Sequence, residues 1–249
     1  MPRAIWKGSI SFGLLNIPVE LMSAESRVDL HFRLLDQRNK ARVRYERVNE
    51  ETGDEVPWDQ VVKAFEYHKG SYVVVEEEDF KRAAPEIAET VAIEAFVDPA
   101  DISLRYYERP YFLVPPKKAE KGYVLLRETL VKQKRVGLAR VVIRTREYLS
   151  LVVPEGPAMV LHLIRYPQEL VDADQYAFPD RAMKDYRITP KEREMAEQLV
   201  EAMASPWKPA GYRDEFREKL TKAIEARVKK KGATKRAKPE AAPAAESGK

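Results

Sequence analysis

Alternating apolar and polar residues predict that the middle of the chain is mainly β-structure. Successive side chains of a strand point to opposite faces, so a half-buried strand shows a period of two. Residues 5–21 follow this period and predict two short strands that meet at Asn16 to Pro18. At residues 40–48, Lys and Arg alternate with apolar residues, which predicts another strand. Further segments rich in Val, Ile and aromatic residues predict the strands of a closed antiparallel sheet, at 72–75, 91–97, 111–114, 138–144, 148–153 and 159–164.

Helical spacing appears once within this β-rich region and again near the end of the chain. The apolar positions of residues 119–134 predict one amphipathic helix that crosses the end of a barrel. Residues 189–192 read Thr-Pro-Lys-Glu, a capping box with proline at the first helical position, so a helix begins there. Spacings of four from Tyr212 to Ile224 predict a second late helix. After Val228 the apolar pattern stops, and the lysine-rich remainder is predicted to be disordered.

The composition excludes several classes of protein. With 44% hydrophobic and 34% charged residues, the 249-residue chain can bury one main core and an appendage. The absence of cysteine excludes disulfides, thiolate zinc sites and a cysteine nucleophile. The ten glycines are widely spread, so no phosphate-cradling loop is present. No run approaches the roughly 18 apolar residues of a spanning helix, and no signal peptide is evident, so we expect a cytoplasmic, nucleoid-associated protein.

The charges are segregated along the chain. The formal net charge is +4, yet residues 227–249 carry eight Lys and Arg against two acidic residues. Residues 27–47 have seven basic residues against three acidic ones, and 117–147 have ten against three. Residues 49–101 reverse the sign, with four basic against fifteen acidic residues. Such blocks can be ordinary solvated faces, but the three blocks of differing sign between residues 27 and 147 favour one face built for a polyanion.

A run of carboxylates supports one enzymatic alternative. Glu76 to Asp79 is the feature from which a two-metal nuclease could be built, together with Glu86, Glu89, Glu94, Asp98 and Asp101. The competing interpretation is structural, because acidic residues are favoured in the first turn of a helix and a short helix is predicted at Phe80. The histidines His31, His68 and His162 stand far apart without metal-ligand spacing and are interpreted as packing or surface residues.

Residues 3–21, RAIWKGSISFGLLNIPVEL, closely resemble the N-terminal signature of bacterial Ku proteins. Further segments are similar to the family and follow in its order, so the resemblance covers about residues 3–226. These segments are 42–47, 61–67, 94–98, 123–127 and 195–199.

The resemblance implies a mixed β and α fold, in which a Ku-type β-barrel core carries an inserted bridge. It implies a non-enzymatic homodimer that encircles double-stranded DNA ends in non-homologous end joining and recruits an ATP-dependent DNA ligase of the ligase D type. No cofactor is expected, and no zinc, because the Cys-x-x-Cys pair of some members is missing. We expect a core at 1–188 with its bridge at about 27–67, a ligase-facing helical region at 189–228 and a disordered basic tail at 229–249.

A ring of this kind would contact phosphates through Lys and Arg without reading bases. Two alternatives to the ring remain, which are the metal nuclease and a chromosome-compacting architectural protein. The Lys/Ala/Pro composition of the tail supports the second. The predicted phosphate contacts lie in the bridge, near the end of the helix predicted at 119–134, and in the tail. They are Arg27, Arg33, Arg38, Lys40, Arg42, Arg44 and Arg47, then Lys132, Lys134 and Arg135, then Lys229, Lys230, Lys231, Lys235, Arg236 and Lys238.

Overall fold

The computed structural model describes residues 3–26, 30–83 and 89–231. Within these ranges the chain forms nine strands and four α-helices. The strands are β1 (Trp6–Phe12), β2 (Leu15–Ser23), β3 (Lys63–His68), β4 (Ser71–Val75), β5 (Thr90–Val97), β6 (Tyr107–Val114), β7 (Val136–Ile143), β8 (Arg146–Glu155) and β9 (Ala158–Ile164). The helices are α1 (Glu77–Ala83), α2 (Glu120–Gln133), α3 (Pro190–Met203) and α4 (Glu215–Lys231). No helix in the described ranges is long and apolar enough to cross a membrane.

The described residues divide into two compact units, which we treat separately. The first unit comprises those within Met1–Arg27 and Pro57–Tyr176, and the second those within Val28–Val56 and Ala177–Lys249. Residues 28–56 of the inserted segment belong to the same unit as the late helices. The domain boundaries predicted at residues 188 and 228 stay predictions.

The first unit is built on a closed barrel of seven strands, in the order β1-β2-β6-β9-β8-β7-β5. The predicted barrel is thereby confirmed. The expectation of a wholly antiparallel sheet is wrong at one seam, where β1 and β5 pair in parallel from Ser9↔Thr90 to Ser11↔Ala92. Closure removes the free edges that would otherwise pair with other chains.

The first hairpin turns earlier than its sequence pattern predicts. Its strands pair from Trp6↔Leu21 to Phe12↔Leu15, so the turn falls at Gly13 and Leu14 and not at Asn16 to Pro18. Gly13 has φ +53°, in the left-handed region that glycine enters without a steric penalty. The proline is misleading as a turn signal because Pro18 lies within β2.

Alternate strand residues fill the barrel and α2 covers this core. Tyr123, Leu126 and Leu130 of α2 are buried in the same cluster as the strand residues. The helix can approach closely at Gly122, where an added Cβ would lie 3.3 Å from Cγ1 of Ile17. The predicted helix at 119–134 is therefore confirmed, with bounds within one residue.

The first unit also contains a two-stranded sheet that is not part of the barrel sheet. β3 and β4 pair antiparallel around Gly70. Every residue of β3 is exposed, including Phe65 and Tyr67. Isolated hairpins are marginally stable in water, so a sheet this exposed and apolar favours a partner surface.

The second unit corrects two sequence-based expectations. Residues 40–48 do not form a regular strand, because strand-like pairing in the described part of this segment is limited to the isolated bridges Leu35↔Arg42 and Val48↔Glu55. The capping box of α3 is confirmed, since Thr189 Oγ accepts a hydrogen bond from the Glu192 N–H at 3.3 Å. α4 extends through Lys231 instead of ending at Val228, because lysine is a good helix former and the next glycine is Gly232.

Candidate nucleic-acid interface

Residues 30–56, called the basic arm from here on, fold back on themselves in two short loops. The Val43 N–H donates to the Leu34 carbonyl at 3.1 Å and closes the first loop. The Val56 N–H donates to the Arg47 carbonyl at 2.7 Å and closes the second. The arm thus presents its charges on local turns and not along one strand face.

The predicted phosphate contacts of the arm that the structure describes share one property, which is that all are exposed. Basic side chains this close together on an exposed segment produce a concentrated positive potential that a polyanion can follow. They are Arg33, Arg38, Lys40, Arg42, Arg44 and Arg47.

Several of these cations already have local partners. The Arg38 guanidinium lies 2.8 Å from a carboxylate oxygen of Asp36, and Arg44 lies 2.8 Å from Glu46. The Lys40 Nζ donates to the Gln37 carbonyl at 2.7 Å. Exposed pairs of this kind are weak and screened by salt, so a phosphate can replace the carboxylate.

The pair between Arg38 and Asp36 has a clear electrostatic signature. Hydrogen bonds from Arg38 lower the pKa of the Asp36 carboxyl, and the same interaction raises the pKa of Arg38. The carboxylate therefore stays charged and holds the guanidinium at the first loop. If a phosphate replaced Asp36 as the partner of Arg38, the charge of the Arg38 guanidinium would not change.

A second group of predicted contacts lies where α2 ends and β7 begins. Lys134 has φ +52°, and its N–H donates to the carbonyls of Leu130 and Val131 to close the helix. Lys132 in the last helical turn is exposed, while Arg135 lies 3.3 Å from Asp98. Cations at a helix C-terminus are favoured by the helix dipole, so this group has a structural role as well.

The third group belongs to the end of the chain. Lys229, Lys230 and Lys231 form the last residues of α4 and so sit on a helix, not in the disordered tail that the sequence predicts. The remaining predicted contacts lie outside the described residues, namely Arg27, Lys235, Arg236 and Lys238.

The acidic run takes the structural role. Glu77, Glu78 and Asp79 occupy the first turn of α1, and an Asp79 oxygen accepts from the Glu76 N–H at 3.1 Å. Lys81 lies 3.8 Å from Glu78 and pairs with it along the helix. Among the described residues no group of three or more potential ligands converges on a metal position, and Glu86 lies outside those residues.

Sequence reasoning misses two features of the first unit. One is β3 and its pairing with the predicted strand at 72–75, which lies within β4, because nearly all of β3 falls inside the expected bridge. The other is a pocket lined by three arginines. They are Arg109 of β6, Arg144 of the turn between β7 and β8, and Arg146 of β8. They are spread along the sequence without a local motif, so a signal for them exists only once the strand pairing is known.

An exposed cationic arm on a barrel protein is a feature of the class of proteins that bind nucleic acid through the phosphate backbone. Residues 11–195 match the Ku70/Ku80 beta-barrel domain. The non-homologous end joining protein Ku of Coxiella burnetii is 51% identical over 241 residues, which span 97% of this chain and 88% of that protein. The proteins of the same name from Pseudomonas aeruginosa and Mycolicibacterium smegmatis are 44% and 34% identical, over 92% and 91% of this chain and 78% and 71% of theirs.

The chain belongs to the Ku family. Its relatives are named as non-homologous end joining proteins and Ku proteins are non-enzymatic, so the nuclease alternative is wrong. The resemblance seen in the sequence is confirmed.

Proposed function

We propose that two copies of the chain form a ring that threads onto double-stranded DNA ends and recruits an ATP-dependent DNA ligase of the ligase D type. The observation that carries the proposal is the combination of two exposed surfaces on one chain. One is the cationic arm, which suits a phosphate backbone, and the other is the apolar β3–β4 sheet, which suits a protein surface.

The β3–β4 sheet supports the homodimer. Phe65 and Val73 are cross-strand neighbours, and their side chains are 63% and 51% exposed. Tyr67 and Tyr72 add aromatic area that is also more than half exposed. Aromatic-rich exposed patches mark protein interfaces, and a closed two-fold assembly buries the same patch on both copies.

The arm supplies the affinity for DNA in this proposal. Its six described basic residues would replace counterions on the phosphates, which gives binding that depends on salt and not on base sequence. Lys132, Lys134 and Arg135 would bind further phosphates from the barrel, and the basic residues from Lys229 onward would bind DNA outside the ring.

The late helices supply the surface for the ligase. No residue of α3 is buried, and an apolar stripe runs along it through Met195, Leu199 and Met203, the last of which is 81% exposed. An amphipathic helix with an uncovered stripe is suited to a groove or helix of a partner. Ligase binding to this stripe would leave the arm free for DNA.

A trapping experiment tests the ring. The protein is loaded on a linear duplex, the ends are then joined, and the salt concentration is raised. A ring that encircles DNA stays on the closed product at a salt concentration that removes it from an open linear duplex, because it has no end to leave by. Equal release from both products would contradict encirclement.

A further inference from the structure

The barrel contains a pocket that the proposed ring does not use. Its volume is about 420 Å³, within the range of roughly 300–1,000 Å³ that small-ligand sites occupy. Tyr111 and Leu163 line it and belong to the buried barrel core. Its charged lining includes three arginines, and we call it the arginine pocket.

The three arginines come from different parts of the barrel. Arg109 lies in β6, Arg146 is the first residue of β8, and Arg144 lies in the short turn that joins β7 to β8. Strand pairing between β7 and β8, and of β9 with both β6 and β8, places these positions around one opening. The strands therefore hold Arg109 and Arg146, and the short turn between β7 and β8 holds Arg144.

The backbone at Arg144 is unusual for an arginine. Its φ is +62°, in the left-handed region where hairpin turns favour glycine or asparagine. The turn therefore holds an arginine where glycine would be less strained, and the Arg144 side chain lines the pocket.

The charges of the lining do not cancel. Arg146 lies 3.5 Å from Glu169 and stacks over the Tyr148 ring, with 5.1 Å between guanidinium and centroid. Within the described ranges Arg144 makes no ion pair with a carboxylate.

Arg109 is balanced in part by its neighbours. Its hydrogen bond with the Tyr111 hydroxyl raises its pKa, and the charges of Glu108 and Glu25 act in the same direction. Glu108 and Glu169 are the two carboxylates that line the pocket, against three guanidinium groups. An excess of positive charge remains, and it faces a concave opening.

We propose that the arginine pocket binds a phosphate monoester dianion. Guanidinium forks match phosphate oxygens in geometry, and a lining with three guanidinium groups against two carboxylates attracts a dianion more strongly than the single charge of a backbone diester. Two sources carry this group, which are the terminal 5′-phosphate of a DNA end and a free phosphate or mononucleotide. The site itself does not depend on the ring proposed above, because it lies within one barrel.

The first experiment uses inorganic phosphate and the full-length protein. Phosphate is titrated at about pH 8, above the second pKa of inorganic phosphate and well above that of monoesters, which is about 6, so that the dianion predominates. The readout is the set of Nε–Hε NMR signals of Arg109, Arg144 and Arg146. The proposal predicts saturable shifts of these signals, whereas shifts that rise without saturation, or no shifts, would overturn it.

Two variants separate binding from folding. Arg144→Gly removes the fork but relieves the positive φ, so it should fold at least as well as the parent and bind phosphate about tenfold more weakly, the loss of one charge-assisted hydrogen bond. Lys118→Ala removes one exposed charge elsewhere on the barrel unit and should leave binding unchanged. Equal weakening by both variants would show that general charge, and not the pocket, attracts phosphate.

A competition experiment distinguishes the two sources. Blunt duplexes with a 5′-phosphate and with a 5′-hydroxyl are added to the phosphate-bound protein. Displacement by the phosphorylated duplex alone assigns the pocket to the DNA end, and displacement by neither duplex, with inorganic phosphate still bound, assigns it to a free phosphate compound. Equal displacement by both duplexes would contradict a monoester site.

Discussion

The Tyr123 hydroxyl accepts a hydrogen bond from the Met159 N–H at 2.5 Å, which ties α2 to the start of β9. Burial raises the pKa of the Tyr123 phenol, so the group stays neutral. Tyr123→Phe keeps the ring but leaves a buried N–H without this partner, at a cost of about 1–3 kcal/mol. Denaturant unfolding should show the loss, and Tyr45→Phe, at a position that is 85% exposed, should change stability by no more than about 0.5 kcal/mol. Equal effects would show that the hydrogen bond adds nothing.

His162 makes the stability of the barrel depend on pH. Its half-buried imidazole packs edge-on against Tyr107, with 5.2 Å between centroids, and burial lowers its pKa below the ordinary 6.5. A lowered pKa means that the unfolded state takes up the proton first, so stability is full above pH 6.5 and falls as the pH drops towards the folded-state pKa.

A pair of histidine variants checks this sign. The urea midpoint of the parent should be lower at acidic pH than above pH 7, and His162→Phe should reduce the difference between them. His31→Phe is the matched control, because it removes an exposed imidazole outside the barrel and the β3–β4 sheet, and the pH dependence of the parent should remain. A midpoint that rises on acidification would contradict the burial of a neutral imidazole.

The basic arm should set the salt dependence of DNA binding. Replacing Arg42, Arg44 and Arg47 together by alanine should weaken binding to every sequence. The slope of log affinity against log salt should flatten by about 0.9 for each phosphate that the arm no longer neutralises. Fluorescence anisotropy over a salt series measures both quantities.

The matched control for the arm removes the same number of charges from the late helices. Lys191, Arg193 and Lys219 are exposed, and two of them pair with glutamates along their own helix. Their replacement by alanine should leave the slope close to that of the parent. If both triple variants lowered the slope equally, net charge and not the arm would control affinity.

The β3–β4 sheet should hold the dimer together. Phe65→Glu places a charge beside Val73 on the exposed face and should convert the protein to monomers in sedimentation experiments at micromolar concentration. Leu104→Glu, at a position that is 85% exposed, should not change the oligomeric state. A parent protein that sediments as a folded monomer would rule out the homodimer.

The C-terminal residues should add affinity for DNA without contributing to the preference for DNA ends. Because α4 continues to Lys231, a truncation after that residue preserves the helix, whereas one after Val228 removes its last turn. The deleted sequence still includes Lys235, Arg236 and Lys238. We expect unchanged unfolding, weaker binding at low salt and an unchanged preference for DNA ends, measured with linear and circular competitors.

The strands and helices of the barrel could be predicted because local patterns determine them. The period of two in β7 to β9 and the stripe of Tyr123, Leu126 and Leu130 in α2 reflect burial on one side, which the sequence records directly. The capping box at Thr189 is equally local. The parallel seam of β1 and β5 joins residues about eighty positions apart, and no local pattern encodes such a pairing.

The proposed DNA-binding surface is predictable in its composition and less so in its geometry. The clustering of Arg33 to Arg47 identifies the arm, but the alternation of charges predicts a strand where two loops exist, since Lys40 adopts φ +60° inside the first loop. The arginine pocket could not be predicted, because Arg109 and Arg144 become neighbours through the barrel and not through sequence spacing.

Recognition of duplex DNA ends by threading requires that the protein distinguish DNA with free ends from DNA without them. The deciding measurement compares its affinity for a linear duplex with that for a covalently closed circle of the same sequence and length, at near-physiological salt. Threading predicts strong binding to the linear form and little to the circle, with the difference removed when both linear ends are blocked by bulky groups. Equal affinity for the linear duplex and the circle would contradict threading and favour an architectural protein that binds along the DNA.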